Sequence, residues 1–150
     1  MIARIQQAMA KKDKGFTLIE LLVVVIIIGI LAAIAIPVFM NQRKSAMDAG
    51  VKSDLRTIAN EAEMYYVNHQ EYPADASAAS GAGKLTLTST GGTSVDVKLS
   101  NSKTEIDFSN EGQDGYVIEG KNVDGTGETW VYNSAEGGLQ DEPKAAAGGE

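Results

Sequence analysis

From Leu21 to Met40 the chain carries no charged side chain, and fourteen of those residues are Leu, Ile, Val or Phe. No other stretch restricts the fold as tightly. As a helix, Phe16–Met40 would be roughly 38 Å long, more than a ~30 Å hydrocarbon layer. At about −0.3 to −0.6 kcal/mol each near a membrane centre, the large apolar side chains favour insertion by roughly −4 to −8 kcal/mol. One acid, Glu20, opposes them. It costs at most about +2.5 to +3.5 kcal/mol, and less near the end of the run where it sits. Insertion therefore wins, and the rest of the 150 residues leaves room for one small domain.

Two ordinary readings compete for this segment. Ala33-Ile34-Ala35 resembles the small-x-small site of a cleaved secretory signal. Against that reading, no polar stretch separates the apolar run from the site, and Glu20 has no purpose in it. A plain single-pass anchor leaves the residues from Lys14 to Glu20 without a reason. Flanking charge does not orient such an anchor: Arg4, Lys11, Lys12 and Lys14 precede the run, and Arg43, Lys44, Lys52 and Arg56 follow it.

The residues before the run carry a third reading. Lys11-Lys12-Asp13-Lys14-Gly15-Phe16-Thr17-Leu18-Ile19-Glu20, followed by the uninterrupted apolar segment, resembles the processing site of type IV prepilins and type II secretion pseudopilins. The resemblance is close over residues 11–72 and covers the remainder only in architecture. It implies that a membrane aspartyl peptidase cuts between Gly15 and Phe16 and methylates the new amine of Phe16. The chemistry suits the residue types: glycine has no Cβ to hold a protease away from the scissile backbone. The resemblance also implies that Glu20, one helical turn from the new terminus, meets a neighbouring subunit's amine during assembly. Read from the residues alone, Glu20 is a first-turn acid that complements the helix macrodipole. Gly29 and Pro37 interrupt the apolar helix with a weak helix former and a missing hydrogen bond. The resemblance implies that this stretch supplies flexibility in a filament; a common membrane-helix kink explains it equally.

Composition closes off several functions. The chain has no cysteine, so it has no disulfide or zinc-thiolate site, and His69 is its one histidine. It holds 13 basic and 20 acidic side chains, of which four and one lie in residues 1–14, leaving a body of net charge −10. Such a body gains nothing from counterion release on nucleic acid. With no nucleophile–base pairing in the pattern, the chain reads as a non-enzyme with no cofactor. Calcium is the one candidate ion, at Asn122, Asp124 and Glu128 in a glycine-rich turn; the spacing is not that of an EF-hand, and turn chemistry accounts for the same residues.

Beyond Met40 the pattern becomes amphipathic. Met47, Val51, Leu55, Ile58, Ala62 and Tyr65 recur at helical spacing, with Lys52, Asp54, Arg56, Asn60, Glu61 and Glu63 mostly elsewhere. This predicts a helix over 41–73 with one buried stripe, ending near Tyr72-Pro73. Residues 74–83 read as a loop, in which Ser77 and Ser80 are weak candidates for glycans. Short alternating runs follow around Leu85, Val97, Ile106, Tyr116 and Trp130, with Gly91-Gly92 offering a two-residue hairpin turn. Residues 140–150 read as a disordered acidic tail.

The expected fold is α+β. A leader (1–15) precedes a long kinked helix, whose apolar part is 16–40, and its amphipathic part packs on a four- to five-stranded antiparallel sheet spanning 84–139. The resemblance implies a structural filament subunit with three kinds of partner: further copies of itself, a prepilin peptidase, and a pilus or secretion assembly machine. The precursor would sit in the cytoplasmic membrane, and the mature form in an extracellular pilus or an envelope pseudopilus. A pilus fibre, a secretion pseudopilus and a secreted protein behind an ordinary signal all remain open on sequence. Many pilins brace their C-terminal region with a disulfide, so here any link between tail and sheet has to be non-covalent.

Overall fold

The computed structural model describes residues 15–89 and 91–144. The predicted leader, apart from Gly15, and the last six residues of the predicted tail lie outside that range. The described chain is α+β: one long helix, α1 (Leu18–His69), then seven strands. It divides into two units at Phe39/Met40.

In the first unit α1 runs unbroken through Gly29 and Pro37. In the second, α1 has one buried stripe formed by Val51, Leu55, Ile58, Ala59, Ala62 and Tyr65. The spacing read from the sequence is present from Val51 onward; the predicted Met47 is only half-buried, and Ala59 joins the stripe. Asp48 and Asp54 are also buried, both 5% exposed, so Asp54 does not belong to the polar face to which the pattern assigned it. The helix stops three residues before the predicted Tyr72. Gln70 adopts φ 59° and closes the last turn by donating its amide to the Tyr66 carbonyl at 2.8 Å. A left-handed residue just past a helix is a common stop, and Pro73 forbids an early restart.

The strands are β1 (Ala76–Ala78), β2 (Lys84–Thr88), β3 (Ser94–Lys98), β4 (Thr104–Asn110), β5 (Tyr116–Asn122), β6 (Trp130–Asn133) and β7 (Gly138–Leu139). Five of them form one antiparallel sheet in the order β1-β4-β5-β6-β7. The predicted loop at 74–83 is corrected by β1, which pairs Ala76 with Phe108 and Ala78 with Ile106. Three residues of Ala and Ser carry too little apolar weight to announce a strand; the edge of β4 supplies the order. The hairpin β2–β3 is a sheet of its own rather than part of the larger one. Its Leu85, Leu87 and Val97 nevertheless enter the common core with Ile106, Phe108, Tyr116, Ile118 and the helix stripe. The predicted two-residue turn at Gly91-Gly92 is wider: Thr88 pairs with Ser94, and the Ser89 hydroxyl accepts the amides of Gly91 and Thr93.

Gly120 decides how closely helix and sheet approach. A Cβ there would lie 2.8 Å from Ile106, 2.9 Å from Val51 and 3.1 Å from Leu55. Its bare backbone lets the helix stripe settle on β4 and β5.

The predicted tail is corrected over 140–144. Gln140 donates its amide to the Val131 carbonyl, and the Lys144 amide donates to Thr129, so the segment continues along the outer edge of β6. The Lys144 ammonium reaches Glu119 at 2.5 Å. The link between tail and sheet is thus non-covalent, as the absence of cysteine implies for any such link.

Candidate functional site

Gly15, Phe16 and Thr17 precede α1 without regular structure. The helix begins where it does because of a reciprocal pair. The Glu20 amide donates to the Thr17 hydroxyl oxygen at 3.2 Å. In return the Glu20 carboxylate accepts the Thr17 amide at 2.8 Å and the Thr17 hydroxyl at 2.7 Å. This is a capping box, with Ser/Thr at the cap and Glu three residues later, and it satisfies otherwise orphaned backbone donors. Thr17-Leu18-Ile19-Glu20 carries that signal in the sequence, a threonine three residues ahead of a glutamate at the head of an apolar run. The box holds the Gly15–Phe16 bond outside the helix. A Cβ on Gly15 would meet nothing within 4 Å, and Phe16 is 87% exposed.

Downstream of the cap the apolar side chains have nothing to cover them. From Leu18 to Phe39 every large hydrophobic residue is between 47% and 84% exposed. Among the described residues, α1 is the one helix long and apolar enough to cross a membrane. Gly29 lies in open space on this helix, and Pro37 lies inside it.

In the second unit the polar residues of α1 act as clamps. The Asp54 carboxylate accepts the Ser100 amide at 2.9 Å and its hydroxyl at 2.8 Å. Burial raises the Asp54 carboxyl above the usual range, and the two Ser100 bonds oppose that rise. The Lys52 ammonium lies 3.4 Å from the Trp130 ring centroid, a cation–π contact. Tyr116 points its hydroxyl at Glu63 (2.9 Å) and the Ala59 carbonyl (3.2 Å), and burial, then Glu63, pushes its phenol strongly upward.

The turn suspected of holding calcium is organised by a residue the sequence did not single out. Asp48 accepts the Thr126 hydroxyl at 2.5 Å and the Thr126 amide at 3.3 Å. Gly125 lies against the Asp48 carboxylate, where a Cβ would clash. Asn122 is buried, bonded to the Thr104 hydroxyl and the Asp124 amide, while Asp124 and Glu128 face solvent. Among the described residues no group of three or more His, Asp or Glu gathers as metal ligands would. The His69 ring lies tilted against Tyr65, ring centroids 4.4 Å apart. Ser77 and Ser80 are exposed, Ser77 on the edge strand β1.

Comparison with known proteins finds likeness in the N-terminal part of the sequence. Residues 10–36 match the prokaryotic N-terminal methylation motif. The chain is 41% identical over 63 residues to the type II secretion system core protein G of Pseudomonas aeruginosa, covering 42% of this chain and 44% of that protein. The corresponding Escherichia coli protein is 37% identical over 62 residues, covering 41% and 43%. The type IV wide pilus major component PilA4 of Thermus thermophilus is 43% identical over 68 residues, covering 45% and 52%. The matches span about half or less of these relatives.

Proposed function

We propose that this chain, with its N-terminal segment of the pilin and pseudopilin type, is a structural subunit processed after Gly15 and polymerised through residues 16–40. The observation that carries this reading is the uncovered apolar face of α1 from Leu18 to Phe39. Such a surface needs lipid or other copies of itself. A membrane houses the precursor, and a bundle of identical helices houses the product. The capping box leaves the scissile bond in non-helical backbone, where a protease can bind it. Cleavage frees the Phe16 amine, the methylation site in this reading. That cation offers the Glu20 carboxylate a charged partner in place of the Thr17 hydroxyl. A buried opposite charge then selects one axial stagger between neighbouring helices.

A secretion pseudopilus is the second reading, favoured by the similarity to the two core G proteins. Long surface fibres carrying the chain support the pilus; short envelope-bound assemblies support the pseudopilus. The prepilin peptidase and an assembly machine in the membrane are the partners of either. No enzymatic role or cofactor enters the reading, and chelation should leave the melting temperature unchanged.

The test is to express Glu20→Val as the sole subunit and compare membrane and sheared-fibre fractions with wild type. N-terminal sequencing of the mature chain should begin at Phe16 in both. The variant should insert and be cleaved but reach fibres poorly. A first residue of Ile36 would support an ordinary secretory signal instead. Wild-type fibre yield from Glu20→Val would leave Glu20 as a helix cap and nothing more.

A further inference from the structure

The five-stranded sheet has a cationic cleft at one edge and an anionic one at the other. At the β6–β7 edge, a cleft of about 420 Å³ is lined by Arg56, Asn60, Tyr132, Gly137, Gly138 and Leu139. Its polar side chains are a guanidinium, an amide and a phenol, with no carboxylate among them. Arg56 is the one basic side chain lining this cleft; among the described residues it has no acid within salt-bridge distance, as also holds for Arg43, Lys44, Lys52, Lys98 and Lys103. In a body of net charge −10, a guanidinium beside further donors and no carboxylate is suited to receive an acid from another molecule.

At the β1–β4 edge, a cleft of about 350 Å³ is lined by Asp75, Ala76, Ser77, Asp107, Phe108 and Ser109. Here the charged groups are two carboxylates. Among the described residues, Asp75 accepts only the Asn110 amide. Asp107 has no cation within reach among the described residues, and it stands directly opposite Glu119 in the sheet. Glu119 is matched by Lys144, but no described residue matches Asp107. Like charges in cross-strand register destabilise a sheet, so an external cation at Asp107 would relieve a cost the fold carries alone.

The strand order puts these clefts on opposite sides of the sheet. At about 4.8 Å per strand they are separated by roughly 20 Å. We infer that they are two halves of one interface: the Arg56 cleft of one subunit takes up the Asp75/Asp107 edge of a second copy. Arg56 pairs with Asp107, and Asn60 and Tyr132 supply further donors to the carboxylates. An interface joining two different patches is heterologous, so it need not close on itself and builds an open helical array. This contact rests on the filament reading and adds a second layer to it. The apolar helices make the core, and the charged edges set the angular spacing of the globular domains.

The absence of cysteine makes the contact directly testable in the full-length chain. Asn60→Cys and Ser109→Cys, placed together, leave both charged partners intact and have no other thiol to react with. Mild oxidation of membranes and sheared fibres should give a ladder of dimers, trimers and higher species. Either cysteine alone should give no ladder. Adding Arg56→Glu should cut ladder and fibre yield on the order of tenfold, since a like-charge contact costs at least one decade of affinity. Adding Asp107→Arg to that chain should restore both. Arg56 is exposed, so unchanged thermal unfolding of the Arg56→Glu chain separates lost contact from lost fold. Normal fibres without a ladder would overturn this interface and leave the filament reading standing. A ladder insensitive to Arg56→Glu would overturn the charge pairing. Neither fibres nor ladder from the double-cysteine chain, with no fibres from wild type, would overturn both.

Discussion

Two stretches of one helix, Leu18–Phe39 and Met40–His69, share their backbone hydrogen bonding and differ in almost everything else. Large apolar residues in the first stretch are about half exposed or more, whereas Val51, Leu55, Ile58 and Ala62 in the second are wholly buried. The first begins with a capping box and contains a proline; the second is held by Asp48, Lys52, Asp54 and the Tyr116 hydroxyl. An isolated helix gains little from propensity alone, and most helical stability comes from what its faces touch. The second stretch has found its partners within the chain. The first has none among the described residues, and its large apolar side chains stay exposed.

The sharpest test of that difference compares two leucines. Leu55→Ala should destabilise the globular unit by about 2–5 kcal/mol, the usual cost of emptying a buried leucine site. Leu31→Ala, on the exposed stretch, should leave the melting temperature of the detergent-solubilised chain unchanged. Thermal unfolding by circular dichroism reads both, and a comparable loss from Leu31→Ala would show that the first stretch has a partner within the chain. A fragment beginning at Gln42 should keep the mixed helix and sheet spectrum.

The polar clamps come next in size. Asp54→Ala should cost about 1–3 kcal/mol, because it strands the Ser100 amide. Asp54→Asn keeps a neutral acceptor and isolates the effect of charge. The folded chain raises the Asp54 carboxyl, so it favours the protonated form. The resulting stability is present below the unfolded value of about 3.9 and lost as pH rises through the folded value. Wild type should therefore fall relative to Asp54→Asn as pH climbs from 4 toward neutrality. Asp96 is lowered by its bonds to Lys84 and Thr86, so its contribution is lost as pH falls; both chains contain it, and it cancels in the comparison. A difference independent of pH would remove the charge argument.

At the start of the first stretch, Thr17→Ala should weaken the cap by about 0.5–2 kcal/mol and fray the first turn. The melting temperature of the globular unit should not follow. Hydrogen exchange at the amides of residues 18–21 should quicken, and unchanged exchange would mean that Glu20 alone holds the turn. The smallest effect should come from Lys144→Ala. The substitution removes only the exposed ion pair with Glu119 and keeps the backbone bond to Thr129, so the expected loss is about 0–1 kcal/mol. A loss of several kcal/mol would make the tail a structural brace equivalent to a disulfide.

Much of the molecule was legible before any coordinates. Period and length announced both stretches of α1, and alternation announced β2 to β6, because each signal lies within a few neighbouring residues. What stayed hidden was decided over long separations. Nothing local marks Ala76–Ala78 as a strand, since its order comes from β4 some thirty residues later. Nothing local says that β2–β3 stays apart from the larger sheet. Asp54 reads as a polar-face residue until Ser100 comes to meet it, and nothing local singles out Asp48, which Thr126 meets. Gly120 reads as an ordinary strand glycine until Val51 and Leu55 press against it. By itself the sequence determined that one end of this chain needs lipid or like helices, because that demand depends only on how many apolar side chains stand in a row. Which acids are buried, where the tail docks and which sheet edges are left charged were settled by tertiary structure. Those outcomes depend on which distant groups reach hydrogen-bonding distance, and no local pattern encodes that.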